Sequence, residues 1–305
     1  MKSFISVFMS FVVAVCFGIY PVTYEPLTDG AKLDFVVVSD IHMEGNNTKR
    51  FERFPKALLD INGNSRKNDA LVMLGDNTMN GQHIEHIFLT LSLKLFNDIE
   101  NNLIAMGNHE IFTEENGYEK GSKKFMKYGE MITGLEIEKP YYYDVIEDYY
   151  FIILGSEADM GVQAYISPEQ LSWLDSTLAK ATAEGKPAFV FCHFPLKDTV
   201  RNAWSDGLIG EQSEEIFGIL SKYKNVFYFS GHLHNAIDYS DIIVKNGVTF
   251  VDVPSLLSDN STHGIPSVGM GYCVEVTENS VELRVRDFID GEWVEGFEYT
   301  AKLDK

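Results

Sequence analysis

Asp34-Phe35-Val36-Val37-Val38-Ser39-Asp40-Ile41-His42 is a short apolar run that ends in metal-type ligands, and four later stretches repeat the pattern. Ala70-Leu71-Val72-Met73-Leu74 leads into Gly75-Asp76-Asn77, and Leu103-Ile104-Ala105-Met106 into Gly107-Asn108-His109-Glu110. Ala188-Phe189-Val190-Phe191-Cys192 leads into His193-Phe194-Pro195, and Val226-Phe227-Tyr228-Phe229-Ser230 into Gly231-His232-Leu233-His234. Each run is β-branched or aromatic and nearly continuous, which predicts a strand buried on both faces. Helical patterns separate them. Residues 81–99 repeat apolar side chains at helical spacing, Ser167-Pro168-Glu169-Gln170 opens a helix with Ser167 as cap and Pro168 in its first turn, and a third helix is predicted over 210–222. Strand–helix alternation points to a layered α/β fold. Ligands in such sheets sit beyond the carboxyl ends of the strands, so five loops are predicted to converge on one rim.

The residue types select the chemistry. Asp, Asn and His with no cysteine suit hard or borderline divalent ions such as Mn, Fe, Zn or Mg. Three oxygen donors and four imidazoles exceed what one four-coordinate zinc takes. Two ions about 3.5–4 Å apart, sharing a carboxylate, would use them all, an arrangement suited to in-line phosphoryl displacement.

The ordered series Asp-x-His, Gly-Asp, Gly-Asn-His-Glu, His and Gly-His-x-His resembles the calcineurin-like metallophosphoesterase family, over roughly residues 33–235. The resemblance implies an αββα sandwich: four layers, with two mixed β-sheets face to face and helices outside. It implies that Asp40, His42 and His234 hold one metal, that Asn108, His193 and His232 hold the other, and that Asp76 bridges them. The resemblance matches His109 to the non-ligand histidine that protonates the leaving oxygen or steadies the transition state, and Glu110 would orient it. The implied reaction is hydrolysis of a phosphodiester or phosphomonoester by a hydroxide between the two metals, with diesters slightly favoured. The strand-rich tail (239–244, 248–253, 272–276, 281–288 and 293–299) would extend the second sheet. Met79 stands where members with an iron–tyrosinate colour carry Tyr, which argues against that chromophore.

With 305 residues, 45% of them hydrophobic, and no interior linker, residues 31–305 form one domain. Lys2 followed by an apolar run from Phe4 to Ile19 reads as a secretory signal or an uncleaved membrane anchor over residues 1–24, which sends the rest of the chain out of the cytoplasm, secreted or tethered. A net charge of −20 opposes general nucleic-acid binding, leaving a small phosphate ester as the expected partner. Cys192 and Cys273 read as buried thiols in preference to a disulfide. His83 and His86, spaced i,i+3, read as a solvated helix face, and His263 as a loop residue. Lys197 and Arg201 follow the His193 block and read as surface charges or phosphate contacts. Tyr141-Tyr142-Tyr143 and Tyr149-Tyr150-Phe151 suggest strands around a turn at Glu147-Asp148. No residues beyond the metal and proton-transfer set are assigned to substrate. The rival reading is a non-catalytic metal-binding surface protein that keeps the fold; it would be expected to have lost a ligand, and none is missing. No H-E-x-x-H supports a peptidase.

Overall fold

Phe35 and Val37 pack to one side of their strand and Val36 and Val38 to the other, and both sides are buried. That is why the run is continuous in apolar residues where a half-exposed strand would alternate. The computed structural model describes residues 28–304 apart from 64–67, 112–116, 204–208, 210–211, 239–240, 259–263 and 265–266. The leading segment with Cys16, and His263, lie outside the described residues.

Two mixed sheets face each other. In the first, β1 (Leu33–Val38), β2 (Ala70–Met73) and β3 (Asn101–Ile104) run parallel. On the other side of β1 lies β10 (Met270–Val276), antiparallel, followed by β11 (Ser280–Asp287), which pairs with both β12 (Glu292–Trp293) and β13 (Tyr299–Lys302). The second sheet has the order β4 (Tyr142–Ile146), β5 (Tyr149–Ile153), β6 (Ala188–Phe191), β7 (Val226–Ser230), β9 (Val248–Asp252), β8 (Ile242–Lys245). Its four inner strands are parallel and its two edges antiparallel. The tail therefore departs from expectation: β8 and β9 extend the second sheet, but β10 to β13 belong to the first. The physical reason is β1, which would otherwise be an open edge; β10, buried at all seven residues, pairs along it.

Helices close both outer faces. On the first sheet lie α1 (Thr48–Asn62), α2 (His83–Phe96) and α4 (Gly117–Thr133), with the single turn α3 (Asn108–Ile111) at the rim. On the second lie α5 (Pro168–Ala181) and α6 (Ser213–Leu220). Ser167 caps α5 by accepting from Gln170 N–H, with Pro168 in the first turn, as its sequence predicts. Between the sheets Phe35 meets the rings of Phe151 and Phe189 at 5.0 and 4.9 Å, so aromatic contacts help fix how the sheets sit on each other. Glu147 and Asp148 join β4 to β5 with both φ angles positive (49° and 66°), the two-residue turn whose twist suits a hairpin. Cys192 and Cys273 are free and buried, on opposite outer faces of the sandwich.

Candidate metal centre

Five loops meet where the two sheets come together. Those after β1, β2 and β3 bring Asp40, His42, Asp76, Asn108 and His109; those after β6 and β7 bring His193, His232 and His234. His234 Nε2 lies 2.9 Å from Asp40 Oδ1, and His42 Nε2 lies 3.3 Å from His234 Nε2. His193 Nε2 is 3.2 Å from Asp76 Oδ2 and 3.2 Å from His232 Nδ1. Asp40, His42 and His234 can thus close on one ion, and Asp76, His193 and His232 on another. His42, Asp76 and His109 form a third such group that shares members with both. Asp76 belongs to two of the three groups, which suits a bridging carboxylate.

The backbone is bent to achieve this. Of the eleven non-glycine residues with positive φ among those described, five are Asp40, His42, Asp76, His232 and His234. Each costs on the order of 1–3 kcal/mol, strain of the kind that clusters at functional sites. Two glycines make room. A Cβ on Gly75 would lie 2.6 Å from the Cβ of His193 across the seam, and one on Gly107 would lie 2.2 Å from Asp76 Oδ1. The Gly-Asp and Gly-Asn blocks therefore record a close approach of backbone to ligand.

The donor set fits divalent ions on electrostatic grounds. Burial pushes the Asp40 carboxyl up, but His234 and His193 outweigh it and hold the group well below the usual carboxylate range. Burial likewise opposes the charged form of His193, yet Asp76 and Asp40 lift it to about 9, while burial and His193 press His232 down to about 4. Two buried carboxylates thus demand a positive charge between them, and divalent cations satisfy the demand more fully than a proton. Asn108 adds an independent sign: its buried Oδ1 has no hydrogen-bond partner among the described residues, as a carbonyl oxygen awaiting a cation would.

His109 differs from its neighbours in keeping its side chain 33% exposed. Its Nδ1 lies 2.7 Å from the carbonyl oxygen of Met79, which can only accept, so Nδ1 carries a hydrogen and Nε2 faces the centre, 3.9 Å from Asp76 Oδ2. Its backbone N–H donates to Asp76 Oδ1 at 2.8 Å. Glu110 was expected to orient this ring, and its hydrogen bonds lie elsewhere. Its carboxylate accepts from Thr78 N–H (2.8 Å), Thr78 Oγ (2.9 Å) and Gly107 N–H (2.8 Å). Glu110 thereby ties the Asp76 loop to the Asn108 loop, and burial beside Asp76 raises it to about 7. Positioning of the ring falls to Met79.

Other positioning groups have no motif to announce them. Leu74 O accepts from His193 Nδ1 at 3.1 Å, and Ser258 Oγ meets His234 Nδ1 at 2.9 Å. Asn235 braces the His232–His234 loop by donating to Asp252 Oδ2 (2.6 Å) and Arg201 O (3.0 Å). Arg201 is itself engaged with Asp241, and Lys197 is exposed. His86 is buried, contrary to expectation, and stacks on Tyr128 with ring centroids 4.8 Å apart.

The family model for calcineurin-like phosphoesterases matches residues 33–236, which contain every ligand described above. The chain belongs to the calcineurin-like phosphoesterase family. This phosphoesterase shares its fold with a dimetal phosphatase from Danio rerio, with a TM-score of 0.60, 14% identity, and coverage of 90% of this chain and 100% of the other. It also shares it with purple acid phosphatase PPD1 from yellow lupin (TM-score 0.64, 15% identity, 88% of this chain and 53% of that one). In sequence it is 33% identical over 85 residues to a 3',5'-cyclic-nucleotide phosphodiesterase of Nostoc sp. (strain PCC 7120), a match spanning 28% of this chain and 31% of that protein.

Proposed function

We propose that the chain is a metal-dependent phosphoesterase that hydrolyses phosphodiesters in preference to monoesters, outside the cytoplasm. The observation that carries the reading is one solvent-facing histidine, His109, at the lip of a buried set of carboxylates and imidazoles. Asp40, His42 and His234, and Asn108, His193 and His232, together with Asp76, would hold two divalent ions, which when bound would supply Lewis acidity and positive charge at phosphorus. The chain's own residues do the rest. The Met79 carbonyl accepts from Nδ1–H and so turns Nε2 of His109 towards the centre, where the imidazolium form would present Nε2–H to the ester oxygen that leaves. As water oxygen bonds to phosphorus and the P–O ester bond breaks, the attacking water gives up a proton to solvent, and the proton on Nε2 passes to the departing alkoxide and releases it as an alcohol. His109 then regains a proton from solvent, which its exposure permits.

Preference for diesters is supported by the Nostoc relative, whose name is that of a diesterase. The extracytoplasmic placement rests on Lys2 and the apolar run after it. The test compares bis(p-nitrophenyl) phosphate with p-nitrophenyl phosphate, each with Mn²⁺, after chelation, and with His109→Ala. Metal-dependent turnover that falls in the variant and favours the diester is expected. Two ions bound per chain with turnover of neither ester would overturn the catalytic reading in favour of a metal-binding surface protein.

A further inference from the structure

Helix α2 is apolar on two sides: Leu89 and Leu93 pack into the core, and a second set of apolar side chains faces outward. Glu85, His86, Thr90 and Ser92 are buried, whereas Ile84, Ile87, Leu91 and Leu95 stand 43, 39, 38 and 54% exposed. At that spacing the four form one apolar ridge. The buried oxygens are satisfied: Glu85 accepts from Asn80 and Gln82, Thr90 donates to His86 O and Ser92 to Phe88 O. These bonds hold the oxygens inside, and the ridge faces solvent. On the neighbouring helices Leu59 of α1 and Met131 of α4 are also exposed, at 37 and 51%. Contiguous exposed apolar side chains mark an interaction surface.

Beside the ridge, α4 carries Lys120, Lys123, Lys124 and Lys127 on one face, and with His83 and Ile84 they line a groove of about 640 Å³. Lys123 pairs with Glu119 at 2.8 Å and Lys124 donates to Gly81 O at 2.5 Å; among the described residues no carboxylate lies within ion-pair distance of Lys120 or Lys127. Acids outnumber bases 45 to 25 in the whole chain. Yet α2 and α4 together hold five lysines (Lys94 and the four above) against three acids, Glu85, Glu119 and Glu130, the first of them buried. Like charges at such spacing repel and do nothing for the helix itself.

We propose that this face rests on an anionic membrane surface, the ridge entering the boundary between headgroups and acyl chains and the lysines meeting lipid phosphates. A soluble polyanion would engage the lysines and leave the ridge wet, and an uncharged apolar partner would do the reverse. An anionic bilayer engages both. The interaction is independent of turnover.

The test places an environment-sensitive fluorophore on the full chain as Leu91→Cys, with Cys16→Ser; Cys192 and Cys273 are buried and escape labelling. Val145→Cys on the exposed edge strand β4 of the other sheet is the control. Vesicles of phosphatidylcholine are compared with vesicles that also contain phosphatidylglycerol. A tether at the N-terminus raises the bound fraction without inserting α2, so probe environment is the readout. A blue shift at Leu91→Cys alone, requiring phosphatidylglycerol, is expected. The pair Lys120→Glu and Lys127→Glu should weaken it about ten-fold or more in lipid concentration, with an unchanged thermal midpoint. Should that pair lower the midpoint, Lys120→Gln with Lys127→Gln replaces it and should weaken binding less but measurably. No shift, an equal shift at Val145→Cys, an equal shift on neutral vesicles, or a shift indifferent to the lysines overturns the proposal.

Discussion

The loops after β1, β2 and β3 bring the oxygen donors Asp40, Asp76 and Asn108, whereas those after β6 and β7 bring only imidazoles, His193, His232 and His234. One rim is anionic and the other is neutral or cationic, and they meet across the seam between the sheets. Asp40 reaches His234 at 2.9 Å and accepts from His232 N–H at 3.1 Å, and Asp76 reaches His193 at 3.2 Å. The groups Asp40, His42, His234 and Asp76, His193, His232 each draw on both rims. The arrangement couples metal binding to sheet packing, since an ion held from both sides favours only the closed sandwich.

Removing the carboxylate shared by the groups breaks that division most directly. Asp76→Ala takes the anionic rim's central member, leaves His193 without its partner and exposes both ions to loss. Its effect on kcat should exceed the roughly 10²–10⁴-fold expected for a single proton-transfer group. Metal content per chain, measured alongside, should drop below two; full activity or unchanged content would remove Asp76 from the bridge. His109→Ala should fall within that roughly 10²–10⁴-fold range while keeping both ions. Here the third group, His42 with Asp76 and His109, sharpens the comparison. Loss of an ion in His109→Ala would make His109 a ligand and the anionic rim richer in imidazole than proposed.

Gly75→Ala probes the seam without replacing a ligand. Its φ of +104° disfavours any side chain, and the new Cβ would press on His193 at 2.6 Å. A loss of about 2–4 kcal/mol is expected. It should be read as a lower thermal midpoint together with a smaller gain on adding Mn²⁺, because His193 is pushed out of line. A midpoint lowered equally with and without metal would mean that the strain stays in the loop and the rims are not coupled.

Much of this centre was legible because each ligand ends an apolar run, and burial on both faces leaves a strand few other readings. Gly75 and Gly107 were visible as motif letters; their reason, backbone pressed against a ligand, appears only in three dimensions. The left-handed backbone of His42, His232 and His234 could not be read, since histidine carries only a weak preference for it. Pairing of the tail could not be read either. Met270-Gly271-Tyr272-Cys273-Val274-Glu275-Val276 states that a strand exists, but its partner is set by which edge needs covering, here β1. Glu110 sits one residue from His109 in sequence, and the single helical turn there carries its carboxylate to Thr78 and Gly107.

His86 shows the same limit outside the rims and permits the finest test. A histidine three residues from another on a helix looks solvated, yet α2 is flanked by α1 and α4, and this ring is turned inward onto Tyr128. Both ring nitrogens are buried without a partner among the described residues. Burial, with Lys124 and His83 nearby, lowers its pKa to about 3 from an ordinary 6.5. Above pH 6.5 the ring is neutral whether the chain is folded or not, and stability is unaffected. As pH falls from 6.5 towards 3 the unfolded chain takes up the proton and the folded one refuses it, so stability drains away, by about 2 kcal/mol at pH 5. His86→Phe keeps the stack and removes the titration. The thermal midpoint of the variant should exceed that of the parent by several degrees more at pH 5 than at pH 8. An equal difference at both pH values would move the acid sensitivity of the fold back to the seam, where His193, His232 and His234 face the two carboxylates.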